Sequence, residues 1–160
     1  MDSTGEDDGE IRPQRSDPSF TTRDPVETLH PEIDIAASLY RDSYYDEAVR
    51  KASQRFVNRV QELADRPDLD GTGLINKSFS EDSPLLAFND RHHLSERDEH
   101  NGYRFLAVGL TQALRNVLSH HDNYGLEASE ALEWLAFISA MHRRLDRAVQ
   151  IPQEQSEPNQ

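Results

Sequence analysis

The chain contains no cysteine, only two lysines and no long apolar run. The lack of cysteine excludes a disulfide framework, a thiolate nucleophile and a cysteine metal site. No stretch approaches the roughly 18 consecutive apolar residues that would cross a bilayer. The N-terminal residues are acidic, whereas a secretory signal is basic and then apolar. We therefore expect a cytoplasmic protein with no membrane contact.

Acidic residues outnumber basic ones by 30 to 17, which gives a formal net charge of −13. Such a charge ordinarily disfavours a polyanionic partner. Arginine strongly exceeds lysine, and only 35% of the residues are hydrophobic. Together these properties suggest a halophilic protein from a high-salt cytoplasm, with an ordinary acidic protein as the alternative. In roughly 1 M salt the Debye length is about 3 Å, so an acidic surface would repel a nucleic acid only weakly.

Apolar residues are concentrated between residues 29 and 149, a stretch long enough for one domain with its own core. Residues 1–28 are acidic, polar and punctuated by proline, which is typical of a disordered tail. Residues 150–160 have a similar composition and predict a second disordered tail.

Within residues 29–149 the apolar positions recur with the period of a helix, and no strict alternation indicates a strand. Pro31 is suited to open a short helix, and a long one ends near Pro67. Further long helices are predicted from about Glu99 to Ser119 and from about Leu126 to Val149. The sequence therefore predicts an all-α bundle of about four to five helices, with disordered acidic tails.

The most selective pattern is an Arg-Asn-x3-His block near the end of a predicted helix, formed by Arg115, Asn116 and His120. An arginine binds phosphate through fixed N–H donors, and a histidine titrates near neutrality. His120 would accept the proton of a ribose 2′-hydroxyl, and Arg115 would hold the scissile phosphate. Asn116 would orient the substrate or the arginine. This chemistry needs no metal or cofactor. One copy lacks a separate general acid, which the second copy of a symmetric dimer would supply.

A purely structural interpretation stays open. Arg115 would then pair with Glu130 or Glu133 of the last helix, while Asn116 and His120 would satisfy free carbonyl groups at the helix end.

A zinc site is a third and weaker possibility. His92, Glu96 and His100 fall at i, i+4 and i+8, and would share one face if that segment were helical.

Several short pieces of the chain occur together in an order and spacing typical of one family. They are Leu29-His30-Pro31-Glu32-Ile33, Tyr45, Ala48-Val49, Ala52, Gly73-Leu74-Ile75, Phe79-Ser80, Gly102, Gly109, Arg115-Asn116 and His120. Over about residues 29–120 the chain resembles the Ymh-like family of uncharacterised bacterial and archaeal proteins. It departs from that family at Val117, where a proline is expected.

The Arg-Asn-x3-His block also resembles the signature of the HEPN superfamily of helical domains. That resemblance implies a HEPN-like bundle acting on RNA as a homodimeric, metal-independent endoribonuclease, with Arg115 and His120 catalytic and Asn116 accompanying them. It further implies a toxin or phage-defence effector with an antitoxin or neighbouring-gene partner. Asp122 stands where some HEPN toxins carry a tyrosine modified by their partner. Since HEPN domains also include non-catalytic modules, the alternative is a regulatory, antitoxin-like interaction dimer.

Overall fold

The computed structural model describes residues 23–120 and 123–152. Its elements in chain order are a 3-10 turn (Pro31–Ile33), α1 (Asp34–Arg41), α2 (Tyr45–Ala64), α3 (Gly71–Ser78), β1 (Leu86–Ala87), α4 (Leu94–Leu110), a π-helical turn (Thr111–Asn116), α5 (Val117–His120), α6 (Ala128–Leu145) and β2 (Val149–Gln150). The predicted all-α bundle is confirmed. No helix in the described part of the chain is long and apolar enough to cross a membrane.

Helix α2 is the central element, and α1, α3, α6 and the π-helical turn all pack against it. It carries an apolar residue at every third or fourth position, so one whole stripe faces the interior. The almost fully buried members of this stripe are Ala48, Val49, Ala52, Phe56, Val57 and Val60. Truncation of Phe56 to alanine would cost about 3–5 kcal/mol, because the neighbouring helices cannot all move in to fill the cavity.

The folded region is longer than the sequence predicted. Val26 is buried, and the Asp24 carboxylate accepts a 2.6 Å hydrogen bond from Arg41, so the chain is already folded ahead of residue 29. At the other end, β2 pairs antiparallel with β1, placing Gln150 opposite Leu86. Residues 23–28 and 150 therefore belong to the folded region and not to the predicted tails. Residues 1–22 and 153–160 of the two predicted tails lie outside the described residues.

One helical segment runs from α4 through the π-helical turn to the end of α5. It begins earlier than predicted, because the Glu96 carboxylate accepts the backbone N–H groups of His92 and His93 and so caps its first turn. Its buried residues from the second half of α4 onward are Ala107, Leu110, Thr111, Leu114 and Leu118. Leu106 and Ala113 of the same segment are exposed. The helical segment from α4 to α5 therefore carries apolar residues on two faces, and only one of these faces packs against the core.

Candidate active site

The Arg115 side chain is held in one orientation by three different parts of the chain. Its Nε donates to Oε1 of Gln54 at 2.9 Å, Nη1 donates to Oδ1 of Asn116 at 3.1 Å, and Nη2 donates to Oδ2 of Asp70 at 2.5 Å. A guanidinium carries five N–H groups, so two have no partner among the residues that the structure describes. The side chain is 21% exposed, which leaves it accessible from solvent.

The guanidinium of Arg115 lies against the start of α3. Gly71, the first residue of that helix, has a left-handed φ of +57°, and a Cβ at this position would lie 3.7 Å from Nη1 of Arg115. Asp70 is thus the carboxylate partner of Arg115, and the structure shows no pairing with Glu130 or Glu133. The alternative in which Arg115 has a purely structural role named the wrong carboxylate partners. The ion pair with Asp70 is nevertheless the kind of contact that such a role requires.

The π-helical turn changes the geometry that an ideal α-helix would give to Arg115 and Asn116. A π-helical turn closes i→i+5 hydrogen bonds and is wider than an α-helical turn, and such turns occur frequently at functional sites. The turn ends at Asn116 and Val117–His120 is α-helical, so Asn116 and His120 lie about one α-helical turn apart. Arg115 and Asn116 contact each other through their side chains, although they are consecutive residues.

His120 is the last residue of α5, and its side chain is exposed. The imidazole makes no hydrogen bond or ion pair with any group in residues 23–120 or 123–152. Both ring nitrogens are therefore free, within this part of the chain, to exchange a proton with a ligand. The preceding residue, Ser119, donates its hydroxyl to the carbonyl oxygen of Arg115 and links the last turn of α5 to the π-helical turn.

A pocket of about 540 Å³ opens beside the end of α5. Its walls come from the turn between α1 and α2, the first two turns of α2, the end of α5 and residues 123–126. The Asp46 carboxylate accepts the backbone N–H groups of Gly125 and Leu126, each at 2.8 Å, and so holds the chain that follows α5. Burial opposes ionisation, but these backbone donors outweigh it and lower the pKa of Asp46. The sequence analysis did not identify this pocket, because residues far apart in the chain form it.

The candidate zinc ligands do not come together. Glu96 caps α4, whereas His100 is buried and bonds the backbone of Phe79 and Phe88. Burial lowers the pKa of His100, with Arg91 adding to the effect and the hydrogen bond to Phe79 opposing it. No group of three or more potential metal ligands occurs within the described residues.

A second cluster of titratable groups centres on His142 of α6, which is fully buried. Its ring stacks on His30 at a centroid distance of 5.3 Å and meets the edge of Phe56. Arg59 of α2 lies beside it, with Nη1 3.3 Å from Nδ1 of His142. Burial first, and then the nearby positive charge of Arg59, lower the pKa of His142 to about 3. His142 falls on the helical period of the buried residues of α6, but these partners come from distant parts of the chain.

The same cluster fastens the N-terminal segment to the end of α6. Nδ1 of His30 accepts the backbone N–H of Glu32, so the proton of a neutral ring resides on Nε2, which donates to Asp146 at 3.0 Å. Arg59 donates to the other carboxylate oxygen of Asp146 at 2.6 Å. The hydrogen bond from Arg59, followed by that from His30, lowers the pKa of Asp146 despite some desolvation.

A family model described as "Protein of unknown function (Hypoth_ymh)" matches residues 27–145. The chain belongs to the Hypoth_ymh family. The family predicted from the sequence is confirmed, and the Hypoth_ymh match extends past residue 120 to take in α6. It therefore covers Arg115, His120, the pocket and the cluster around His142 except Asp146. No curated protein and no solved structure matches the chain.

Proposed function

We propose that this Hypoth_ymh protein is a metal-independent endoribonuclease of the HEPN type. The observation that supports the proposal is the Arg115 guanidinium, which is fixed by Gln54, Asp70 and Asn116 and still has two N–H groups to donate. A donor held in advance at the position where charge develops is what phosphoryl chemistry requires of a protein. The exposed imidazole of His120, which has no partner among the described residues, lies at the end of the same helical segment.

In the proposed reaction, His120 takes the proton of a ribose 2′-hydroxyl, and the 2′-oxygen attacks the adjacent phosphorus atom. The free N–H groups of Arg115 donate to the non-bridging oxygens, where negative charge accumulates. The bond from phosphorus to the 5′-oxygen breaks, and that oxygen takes a proton from a general acid. The products are a 2′,3′-cyclic phosphate and a free 5′-hydroxyl group.

The general acid requires a second imidazole, and one face of α4 suits a second copy of the chain. Phe105 and Leu106 are 63% and 46% exposed on this face, and they lie between the exposed Gly102 and Gly109. Glycines allow two helix backbones to approach closely, and exposed apolar side chains favour burial. The exposed positions continue along the segment to His120. A parallel arrangement of the two segments through this face would bring two copies of His120 into one cleft, whereas an antiparallel arrangement would leave them at opposite ends.

The cellular role that fits this activity is a toxin or phage-defence effector whose cleavage is controlled by an antitoxin or another neighbouring-gene product. High intracellular salt would allow RNA to approach despite the net charge of −13, because it screens the acidic surface.

The test is cleavage of RNA by the purified protein at high salt with EDTA present. His120→Ala and Arg115→Ala should each lower the rate by about 100-fold or more, the usual contribution of a general base or an electrostatic donor. His92→Ala and Arg147→Ala are matched controls, since both side chains are exposed and lie outside the site. Intact RNA with the wild-type protein would contradict the enzyme. Equal cleavage by all four variants would contradict the site.

The second candidate is a non-enzymatic interaction dimer with a regulatory, antitoxin-like role. The short ion pair between Arg115 and Asp70 favours it, because a paired arginine at a helix junction has a sufficient structural purpose. In this case His120→Ala would leave partner binding intact, whereas Phe105→Glu would abolish it. Parallel assays of partner binding and RNA cleavage therefore separate the two candidate functions, because only the ribonuclease loses an activity in His120→Ala.

A further inference from the structure

The pocket at the end of α5 is lined in part by the two residues that precede the proposed base, His120. Leu118 and Ser119 form part of its wall, and His120 is the next residue. Its volume of about 540 Å³ falls within the range of pockets that hold small organic ligands. A group bound there would lie against the last turn of α5, which ends at His120.

The residues that line the pocket include two buried leucines and one exposed tyrosine ring. Leu118 and Leu126 are buried beneath the pocket, and Tyr44 stands at its rim with 63% of its surface exposed. The Tyr44 ring makes no hydrogen bond and no ring contact with any group in the described part of the chain. Unpaired bases of single-stranded RNA stack on aromatic rings of this kind, because every base presents a π-face.

The charges in the lining favour a neutral heterocycle over a phosphate. Asp46 and Glu47 both contribute carboxylates, and Arg50 is the only arginine or lysine among the lining residues. Arg50 already donates twice to Glu47, at 2.5 and 2.6 Å, so its charge is neutralised within the pocket. A phosphate would meet a net negative wall. The edge of a base would instead find hydrogen-bonding groups on Ser119 and Asn123.

The backbone around Tyr44 is well fixed before any ligand arrives. Ser43 has a left-handed φ of +65°, a conformation that costs energy for a residue with a side chain and persists where the surrounding structure holds it. The N–H of Tyr44 donates to the carbonyl oxygen of Leu39 at 2.9 Å. The opposite wall is held by Asp46 through Gly125 and Leu126. A wall fixed in this way binds a ring without first being ordered.

We propose that this pocket binds one unstacked base of single-stranded RNA, that of a nucleotide next to the scissile phosphate, with Tyr44 as its stacking partner. The proposal rests on the proposed ribonuclease function and adds to it the recognition of a particular neighbouring base. The enzyme then requires RNA that is unpaired at the cleavage site.

The test is binding of a short single-stranded RNA whose ribose 2′-positions are O-methylated, so that it cannot be cleaved. Tyr44→Ala should weaken its binding by about 5- to 100-fold, the usual effect of losing one base-stacking ring, while Tyr44→Phe should retain it. Ile35→Ala is the control, because Ile35 is an apolar side chain 72% exposed, against 63% for Tyr44, but lies outside the pocket. An abasic nucleotide beside the cleavage position should weaken binding to the wild type but not to Tyr44→Ala.

Cleavage of unmodified RNA, measured in parallel, separates this inference from the proposed function. Cleavage with unchanged sites and unchanged affinity in Tyr44→Ala would overturn the base pocket and leave the ribonuclease in place. Binding that depends on Tyr44 and on the base, with no cleavage of unmodified RNA, would support the pocket and overturn the ribonuclease.

Discussion

Burial of His142 should make the stability of the protein fall steeply between pH 7 and pH 5. The pKa of His142 is about 3 in the folded chain, where burial and Arg59 disfavour its charged form. In the unfolded chain it returns to about 6.5. Below about pH 6.5 this histidine is therefore protonated in the unfolded chain but stays neutral in the folded one. The free energy of unfolding falls as the pH is lowered further, until the pH reaches the folded pKa. Linkage between these two values gives a loss of about 2 kcal/mol from His142 alone at pH 5.

Urea unfolding of the wild type, His142→Asn and His142→Phe at these two pH values measures the loss. Asn places an amide oxygen near Nδ1, and Phe keeps the ring that packs between His30 and Phe56. Both replacements remove the titration, so the difference between the two pH values should shrink by about 2 kcal/mol. Any contribution from the buried His100 cancels, since it is common to all three proteins. The control His92→Asn should behave as wild type; the reasoning is refuted if both His142 variants do so as well.

Three further predictions concern the site and the surface. Gly71→Ala should lower the free energy of unfolding by about 1 kcal/mol, because residue 71 has a left-handed φ that alanine adopts at a cost. Cleavage should be preserved, since the added Cβ only touches Arg115. Unchanged stability of the variant would contradict the first expectation. Phe105→Glu should give a monomer by light scattering and lose cleavage, and an active monomer would rule out the dimer cleft. The melting temperature should rise between about 0.1 and 2 M KCl as salt screens the acidic surface, and a flat response would argue against halophilic adaptation.

The long helices could be predicted because their signals are local. Helix α2 combines a long buried stripe with a nearby proline, and α6 repeats the same period up to His142 and Leu145. The two-residue strands β1 and β2 are too short to leave an alternating pattern, and their pairing joins residues far apart in the chain.

The candidate site could be predicted only in part. Arg115, Asn116 and His120 are close in sequence, so their spacing is visible, but Gln54 and Asp70 lie 61 and 45 residues before Arg115. Only the packing of α2 and α3 brings those two partners to the guanidinium. The π-helical turn also leaves no signal, because Thr111–Asn116 contains neither glycine nor proline.

The hydrogen bonds from Arg115 to Gln54, Asp70 and Asn116 also determine the stage of synthesis at which this site can form. Gln54 and Asp70 leave the ribosome long before Arg115. They can accept hydrogen bonds from its guanidinium only after α4 and the π-helical turn have been made and have packed onto α2. A nascent chain that stops short of residue 115 therefore holds neither the arginine nor the imidazole that follows it. For a protein proposed to cut RNA, the chain on the ribosome stays harmless until nearly the whole domain has been translated.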